Sequence, residues 1–545
     1  MPRLRLAAAQ TNPVMGDLAG NATAILQARA LAGDADVVVT PELSLIGYPP
    51  EDLVLKPALV EACAGQLERL AEATADGGPA LLVGTTHRSE AGLHNAYALL
   101  DGGRVAAVRV KHDLPNYGVF DEKRVFVPGP LPEPVEFRGV RLGLPICEDM
   151  WTPAVSAHLK AAGADLLVVP NGSPYEIGKE DKRLALARAR AAETGLPLLY
   201  VNRTGGQDEL VFDGGSFALD ADGAVRARLP DWDEALACVT FADGRFEATT
   251  CHQPDSYEEE IWHAMLVALR DYVGRNRFPG VVLGLSGGID SALTAAVAVD
   301  ALGPDKVWCV MLPSRFTSRE SLDDAARCAR LLGVRLDNIP IEPAVAAIEM
   351  MLAGQFAGRP RDLAEENAQS RLRMVTLMGL SNKFGHMLLT TGNKSELSVG
   401  YATIYGDMAG GYNVLKDVYK TTVFRLARWR NAQRPRLGLG PEGPVMPERI
   451  ITKPPTAELR ENQRDDDSLP PYDVLDPILH GLVEEELSAA EIVARGADAE
   501  TVARIERLLY VAEYKRRQAP PGVKIGPRTF GRDRRYPITN AFRTG

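Results

Sequence analysis

The sequence is short of three features, and each shortage disfavours a class of protein. It has 6 cysteines in 545 residues and no Cys-x-x-Cys pair, which argues against a disulfide framework and a structural zinc site. It lacks a basic excess, since the net charge is −11, and this disfavours a general nucleic-acid binder. No apolar run approaches the roughly 20 residues of a membrane span. We therefore expect a cytoplasmic protein without a nucleic-acid or membrane partner.

The length of the chain and a weakly patterned segment near its middle predict two large domains. A single hydrophobic core rarely serves more than about 300 residues. The apolar start is cut off by Gln10-Thr11-Asn12-Pro13, too early for a signal peptide, so we expect a first β-strand there. Residues 231–255 are weakly patterned, and Ser256 then opens a helix with acids in its first turn. This pattern predicts domains 1–250 and 251–545.

The first half alternates apolar β-branched runs with Ala-rich stretches. Val37–Val39 and Leu166–Val169 are typical of buried strands, whereas residues 21–31 and 57–73 are typical of helices. This alternation predicts a layered α/β domain.

Three residues of this half stand where chemistry could occur. Glu42 follows the Val37–Val39 strand, Lys111 ends an alternating strand over 105–110, and Cys147 stands between a strand and a helix. A helix end and a nearby cation would lower the pKa of such a thiol. Taken singly, a surface glutamate, a solvated lysine and a buried inert cysteine are commoner explanations.

Together, Glu42, Lys111 and Cys147 in this chain order resemble the nitrilase superfamily. That resemblance implies an αββα sandwich that cleaves carbon–nitrogen bonds. It also implies that Cys147 is the nucleophile and Glu42 the general base, while Lys111 faces the oxyanion.

The flanking segments 114–122, 146–151 and 171–175 are similar to the glutaminase domain of the glutamine-dependent NAD synthetases. This similarity implies that glutamine is held by Tyr117, Ser173 and Lys179. Glu148, beside the nucleophile, would meet the α-ammonium group of glutamine.

The second half is organised around Ser286-Gly287-Gly288-Ile289-Asp290-Ser291, between an apolar strand at 281–283 and an Ala-rich helix. Glycines and a helix N-terminus favour a bound anion. Asp290 suits a phosphate only when a divalent cation lies between them. A simple tight turn is the alternative. Further strands at 307–311 and 337–341, with a helix at 322–332, predict a doubly wound parallel sheet.

This loop resembles the SGGxDS pyrophosphate loop of the ATP pyrophosphatase family, and therefore implies an adenine nucleotide hydrolase-like domain. Segments 365–373, 388–396, 406–412, 415–421, 454–460 and 465–472 are similar to the NAD synthetases, although Met374 stands where that pattern has glycine. The similarity leaves Asp407 without a role and implies these ligands: for ATP, Gly284, Leu285, Ser286, Gly287, Gly288, Ile289, Asp290, Ser291 and Thr391; for deamido-NAD, Asn367, Glu396 and Lys515; for Mg²⁺, Asp290 and Glu396.

Residues 438–443 match the letters of the Gly-x-Gly-x-x-Gly dinucleotide fingerprint. Pro441 stands where a helix should begin, and no β-branched strand precedes the match. We therefore interpret this segment as a Gly/Pro loop.

The resemblances imply a ligase that amidates deamido-NAD with ATP and Mg²⁺, using ammonia released from glutamine. They also imply a homo-oligomer in which ammonia moves internally between two sites. One alternative is an ammonia-only synthetase whose first domain is an assembly scaffold. Another is a different adenylating enzyme, such as a tRNA-modifying thiolase or lysidine synthetase, against which the acidic charge and the missing cysteine pairs speak.

Overall fold

The computed structural model describes residues 3–461, 463 and 469–542. The chain divides into two compact units, Met1–Asp255 and Ser256–Gly545. Within these described residues, no helix combines the length and the apolarity needed to cross a bilayer. Residues 465–468, at the start of one segment that resembles the NAD synthetases, lie outside the described residues.

The described part of the first unit contains three β-sheets and their covering helices. Strands β1 to β15, in chain order, are Arg3–Gln10, Val37–Val39, Ala80–Ser89, Gly92–Asp101, Arg104–Val110, Val135–Phe137, Val140–Gly143, Leu166–Asn171, Leu198–Asn202, Thr204–Gln207, Leu210–Asp213, Phe217–Leu219, Val225–Arg228, Ala235–Ala242 and Arg245–Phe246. Helices α1 to α4 are Leu18–Leu31, Pro57–Glu72, Pro153–Ala161 and Lys179–Thr194.

Two large sheets form the sandwich, one in the order β15-β14-β1-β2-β3-β4-β5 and the other in the order β13-β12-β9-β8-β7-β6. Strands β10 and β11 pair with each other in a separate two-stranded sheet. Val37 and Val39 point into the core between the sheets, while Val38 packs with residues of α1 and α2. In β8, Val168 faces the inter-sheet core and Val169 packs with residues of α3 and α4. Because strand side chains alternate, a run of apolar residues buries both faces of its sheet. The αββα sandwich that the sequence predicts is confirmed.

The second unit is built on a parallel sheet. Strands β16 to β20 are Val281–Gly284, Val307–Met311, Arg335–Asn338, Met387–Thr390 and Tyr412–Asn413. Helices α5 to α16 are Tyr257–Arg275, Ile289–Leu302, Arg319–Leu332, Glu342–Leu352, Leu363–Phe384, Lys394–Val399, Lys420–Ala432, Glu448–Thr452, Tyr472–Val483, Ala489–Ala494, Ala499–Val511 and Glu513–Arg516.

The order of these strands is β18-β17-β16-β19-β20, with parallel pairing at each step. From β16 the chain adds β17 and β18 on one side of the sheet, then returns and adds β19 and β20 on the other side. This reversal creates a switch point between β16 and β19. The predicted doubly wound sheet is confirmed. The strand predicted at 337–341 was misplaced: β18 ends at Asn338, before Pro340, which has no N–H for the ladder.

Candidate active sites of the two units

The first unit buries a lysine between two glutamates. Lys111 Nζ lies 2.7 Å from Glu42 Oε1 and 2.8 Å from Glu122 Oε1. All three side chains are buried. Burial lowers the pKa of the ammonium, but the charges of Glu122 and Glu42 outweigh this effect and raise the pKa of Lys111 well above its usual value. Lys111 is therefore a fixed positive charge at neutral pH.

Glu42 is held from two further sides. Asn95 Nδ2 donates to Glu42 Oε1 at 2.7 Å, and the Gly172 N–H donates to Glu42 Oε2 at 2.8 Å. A Cβ at position 172 would meet the Tyr48 ring at 2.8 Å, so only glycine lets this backbone approach the carboxylate. The carboxylate is thus fixed in position, as a general base requires.

Cys147 stands on a sharp turn at the start of a 3-10 helix, Cys147–Met150. Its φ is +47° and its side chain is buried. The pKa of the thiol is raised well above its usual value, by burial first and by the charge of Glu42 next, with Lys111 opposing. The expected lowering of this pKa is therefore wrong for the resting site, because burial exceeds the effect of the cation.

The turn at Cys147 is fastened by Asp149, a residue to which the sequence analysis gave no role. Its carboxylate accepts N–H bonds from Ile146 at 2.9 Å, from His112 at 3.1 Å and from Asp113 at 2.7 Å. These bonds join the nucleophile turn to the segment that follows Lys111. Burial raises the pKa of Asp149 to about 6.

Glu122 was also missed, although it lies inside the segment 114–122. It accepts from Lys111 and from the Tyr48 hydroxyl at 3.0 Å. Burial is the main cause that raises its pKa to about 7. Its signal was a second acid near Lys111, but nothing in the spacing showed that it would turn inward.

Three of the four predicted glutamine ligands form one group beside Cys147. Tyr117, which is 52 % exposed, donates to Glu148 Oε2 at 3.0 Å. Its ring lies 5.4 Å from that of Phe120, over which Lys179 Nζ sits at 5.4 Å. This group offers the Glu148 carboxylate and the Lys179 ammonium, which are complementary to the charged groups of an amino acid, together with an aromatic edge.

Ser173, the fourth predicted ligand, is buried and adjoins Gly172. Its Oγ accepts from Arg183 Nε at 3.0 Å, and Arg183 forms a 2.6 Å ion pair with Asp213. The four glutamine-ligand assignments stay predictions.

The second unit contains a cavity of about 300 Å³ at the carboxyl ends of β16, β17 and β19. Thr390 and Gly392, on either side of the predicted ATP ligand Thr391, line the cavity. Asp407 and Met374 also line the cavity. Burial raises the pKa of Asp407 to about 6. The predicted nucleotide residues that line it are Gly284, Leu285, Ser286, Gly288, Ile289, Asp290, Ser291, Thr391 and Glu396.

The loop before α6 has a geometry that requires glycine. Gly287 has φ +81°, and a Cβ there would lie 2.3 Å from the Ser321 carbonyl oxygen. The Ser291 hydroxyl donates to the Gly288 carbonyl at 3.0 Å, and the Gly288 N–H donates to Ser286 Oγ at 3.2 Å. These bonds hold the loop around the N-terminus of α6, where backbone dipoles favour an anion.

Asp290 and Glu396, the predicted metal ligands, converge on a lysine that the sequence analysis did not single out. Lys420 Nζ lies 2.5 Å from Asp290 Oδ2 and 3.0 Å from Glu396 Oε1. Asn393 Nδ2 holds the other Asp290 oxygen at 2.9 Å. Two carboxylates that share one cation are hard oxygen donors at suitable spacing, so these residues fit Mg²⁺. The metal assignment itself stays a prediction.

Asn367 and Lys515 do not line this cavity in the described part of the chain. Asn367 Oδ1 accepts from the Thr403 hydroxyl at 2.9 Å. Lys515 Nζ donates to the carbonyls of Gly400 and Ala402, both at 2.7 Å. Because Ala402 lines the cavity, Lys515 borders it. The deamido-NAD roles of Asn367 and Lys515 stay predictions.

The loop at 438–443 folds around an ion pair, not around a nucleotide. Arg430 Nε lies 2.7 Å from Asp300 Oδ2, and its NH2 donates to the Pro441 carbonyl at 2.9 Å. A Cβ at Gly440 would lie 2.2 Å from Asp300 Oδ1. Gly440 therefore serves close packing against this ion pair.

Fold and sites define a chain that joins a carbon–nitrogen hydrolase unit to an NAD synthase unit. Residues 5–249 match the family model described as Carbon-nitrogen hydrolase, and residues 261–519 match that described as NAD synthase. The chain is 54 % identical to Glutamine-dependent NAD(+) synthetase of Rhodobacter capsulatus, over 99 % of both chains. It is 44 % identical to the protein of that name from Acinetobacter baylyi, covering 100 % of this chain and 99 % of that one.

A solved structure shows the same relationship. The glutamine-dependent NAD+ synthetase of Acinetobacter baumannii, in complex with adenosine diphosphate, is 43 % identical, with a TM-score of 0.78 over 98 % of each chain. The chain belongs to the glutamine-dependent NAD(+) synthetase family.

Proposed function

We propose that this chain is a ligase that amidates deamido-NAD⁺ to NAD⁺, with ATP as activator and glutamine as nitrogen donor. Residues 1–250 are the glutaminase domain and residues 251–545 the synthetase domain. The proposal is carried by one observation: a buried Glu42–Lys111–Cys147 group and a glycine-loop cavity with paired carboxylates occur in one chain. A hydrolase alone would not need the second site, and an ammonia-only enzyme would not need the first.

In the glutaminase domain, Cys147 attacks the amide carbon of glutamine. The thiol is protonated at rest because its pKa is raised, so the reaction requires a base. Glu42, held by Asn95 and the Gly172 N–H, takes the thiol proton and passes it to the leaving ammonia. It then activates water to release glutamate from the thioester.

Lys111 stabilises the negative charge that develops on the carbonyl oxygen. Its pKa is raised by two carboxylates, so it stays charged while Glu42 changes protonation. A charge fixed before the reaction needs no reorganisation in the transition state. Tyr117, Glu148, Ser173 and Lys179 orient glutamine, with Glu148 facing the α-ammonium group.

In the synthetase domain, the loop from Gly284 to Ser291 cradles the phosphates of ATP. The nicotinate carboxylate of deamido-NAD⁺ attacks the α-phosphorus, pyrophosphate leaves, and ammonia then displaces AMP from the mixed anhydride. Adenylation is needed because a carboxylate is a poor electrophile. Thr391 contacts ATP, and Asn367, Glu396 and Lys515 hold deamido-NAD⁺. Mg²⁺, held by Asp290 and Glu396, would neutralise phosphate charge.

We also propose that the enzyme is a cytoplasmic homo-oligomer in which ammonia passes between the domains without release. Free ammonia would mostly become ammonium at neutral pH, and ammonium has no lone pair with which to attack. The small number of cysteines and their spacing support a reducing compartment.

The test compares two nitrogen sources in two proteins. NAD⁺ formation is measured from deamido-NAD⁺, ATP and Mg²⁺ with either glutamine or ammonium, for the wild type and for Cys147→Ala. Cys238→Ala is the matched control, because Cys238 is a partly buried cysteine of the same domain on β14.

We expect Cys147→Ala to lose the glutamine reaction and keep the ammonium reaction, while Cys238→Ala keeps both. If the wild type uses ammonium alone, the first domain is the scaffold of the alternative. If neither source gives NAD⁺, the deamido-NAD⁺ assignment is wrong.

A further inference from the structure

We infer that Lys420 is an internal counter-ion that excludes divalent metal from the synthetase site until ATP arrives. This inference rests on the proposed function, and it adds an order of binding to it. Metal and nucleotide would enter together, and metal alone would bind weakly.

The geometry places Lys420 where a metal ion would sit. Its Nζ bridges Asp290 Oδ2 and Glu396 Oε1, at 2.5 Å and 3.0 Å. These are the two carboxylates that fit Mg²⁺, so ammonium and metal compete for the same oxygen atoms.

Lys420 is also held there by its surroundings. Its backbone N–H donates to Ser395 Oγ at 2.9 Å, and its Nζ lies 5.1 Å from the Tyr472 ring centroid. The side chain is 1 % exposed, which removes most competing water. A well-placed ammonium with two carboxylate partners is therefore the resting cation of the site.

Metal alone meets an unfavourable exchange at this site. To bind both carboxylates it must displace the ammonium, which then loses its two ion-pair partners and keeps only the electrostatic attraction of Asp476, a less favourable arrangement for a buried charge. ATP changes this balance, because its triphosphate brings negative charge into the cavity that Lys420 already lines. The displaced ammonium then gains phosphate oxygens as partners. Each ligand thus favours the other, and this coupling is reciprocal.

The experiment measures metal binding without catalysis. Free Mn²⁺ is titrated by electron paramagnetic resonance against the full-length wild type, Lys420→Met and Lys453→Met, with and without a non-hydrolysable ATP analogue. Lys453 is the matched control, since it lines the same cavity but pairs with Asp324 at 3.1 Å. Adding Asp290→Asn to Lys420→Met identifies the site being measured.

Without nucleotide, we expect Lys420→Met to bind Mn²⁺ at least about tenfold more tightly than the wild type, since its two carboxylates lack a cation. Lys453→Met should match the wild type, and Asp290→Asn should remove the gain. The ATP analogue should tighten Mn²⁺ binding strongly in the wild type and less in Lys420→Met.

Unchanged or weaker Mn²⁺ binding by Lys420→Met would overturn the inference. If that variant does not fold, as judged by circular dichroism, Lys420→Gln retains a hydrogen-bond donor and replaces it. The wild type also tests the inference by itself, because tight Mn²⁺ binding without nucleotide that Asp290→Asn abolishes would contradict it. Since no substrate turns over, this result is independent of whether NAD⁺ is formed.

Discussion

Asp149→Asn should separate the geometry of the glutaminase site from its stability. Asp149 accepts backbone N–H bonds from His112 and Asp113 on one oxygen and from Ile146 on the other. Asparagine keeps the size of the side chain but replaces one oxygen with an NH₂ donor. In its better orientation the amide keeps the first two bonds and turns its donors toward the Ile146 N–H, next to Cys147.

Two opposing terms decide the effect on stability. The lost bond and the buried N–H without an acceptor cost about 1–3 kcal/mol. Against this, burial raises the pKa of Asp149 from 3.8 to about 6, so at neutral pH its charge costs the native state about 3 kcal/mol. Asparagine removes that cost. We therefore expect a melting temperature within a few degrees of the wild type.

Catalysis has no such compensation, because the Ile146 bond fixes the turn that aims the thiol. A displacement of about 1 Å at a reacting atom can cost up to 100-fold in rate. We expect the glutamine-dependent rate of Asp149→Asn to fall roughly 10- to 100-fold, while the ammonium-dependent rate stays unchanged. Both rates are measured as NAD⁺ formation, with thermal unfolding followed in parallel. An unchanged glutamine rate, or an equal fall in both rates, would refute the reasoning.

Further changes test the two sites. Lys111→Met leaves Glu42 and Glu122 buried without a cation. It should lower the free energy of unfolding by about 3–5 kcal/mol, measured by thermal unfolding, and abolish the glutamine reaction, measured as glutamate release. Normal stability would contradict the buried ion group. Gly287→Ala places a Cβ 2.3 Å from the Ser321 carbonyl and should abolish NAD⁺ formation from ammonium, yet leave basal glutamate release intact. Because the pKa of Glu122 is raised from 4.5 to about 7, its contribution to stability is full below pH 4.5 and is lost as the pH rises to about 7. The melting temperature of Glu122→Gln should fall less than that of the wild type between pH 5 and pH 7.5, and equal falls would count against this assignment.

Much of the fold follows from local sequence. The run Val37–Val39 is observed as β2 with the predicted bounds. Three successive β-branched residues suit a strand that is buried on both faces of its sheet. Val307–Met311 is likewise β17. The error at β18 arose because Ile339 and Ile341 continue an apolar pattern through Pro340, which cannot donate to the ladder. Glu396 lies in the first turn of α10, behind the Asn393 cap.

The sites were predicted where a residue type and a strand end coincide in the chain. Glu42, Cys147 and Asp290 each follow a short apolar strand, and the carboxyl ends of strands carry sites in layered folds. Glu122, Asp149 and Lys420 escaped prediction, since their roles come from partners brought near by folding. Lys420 and Asp290 are 130 positions apart. No sequence spacing rule connects a lysine at the start of a helix with a distant glycine loop.

Both sites use an ammonium between two carboxylates, and their exposure separates their roles. Around Lys111 the side chains of Glu42 and Glu122 are 0 % and 5 % exposed. Solvent barely reaches these groups and the pKa of Lys111 is raised, so the positive charge of the lysine is fixed and suits an oxyanion. Around Lys420 the side chains of Asp290 and Glu396 are 19 % and 17 % exposed and line a cavity. The same three charges can exchange partners there when a ligand enters. The buried Lys111 group therefore supplies a constant charge, whereas the partners of the Lys420 group depend on the bound ligand.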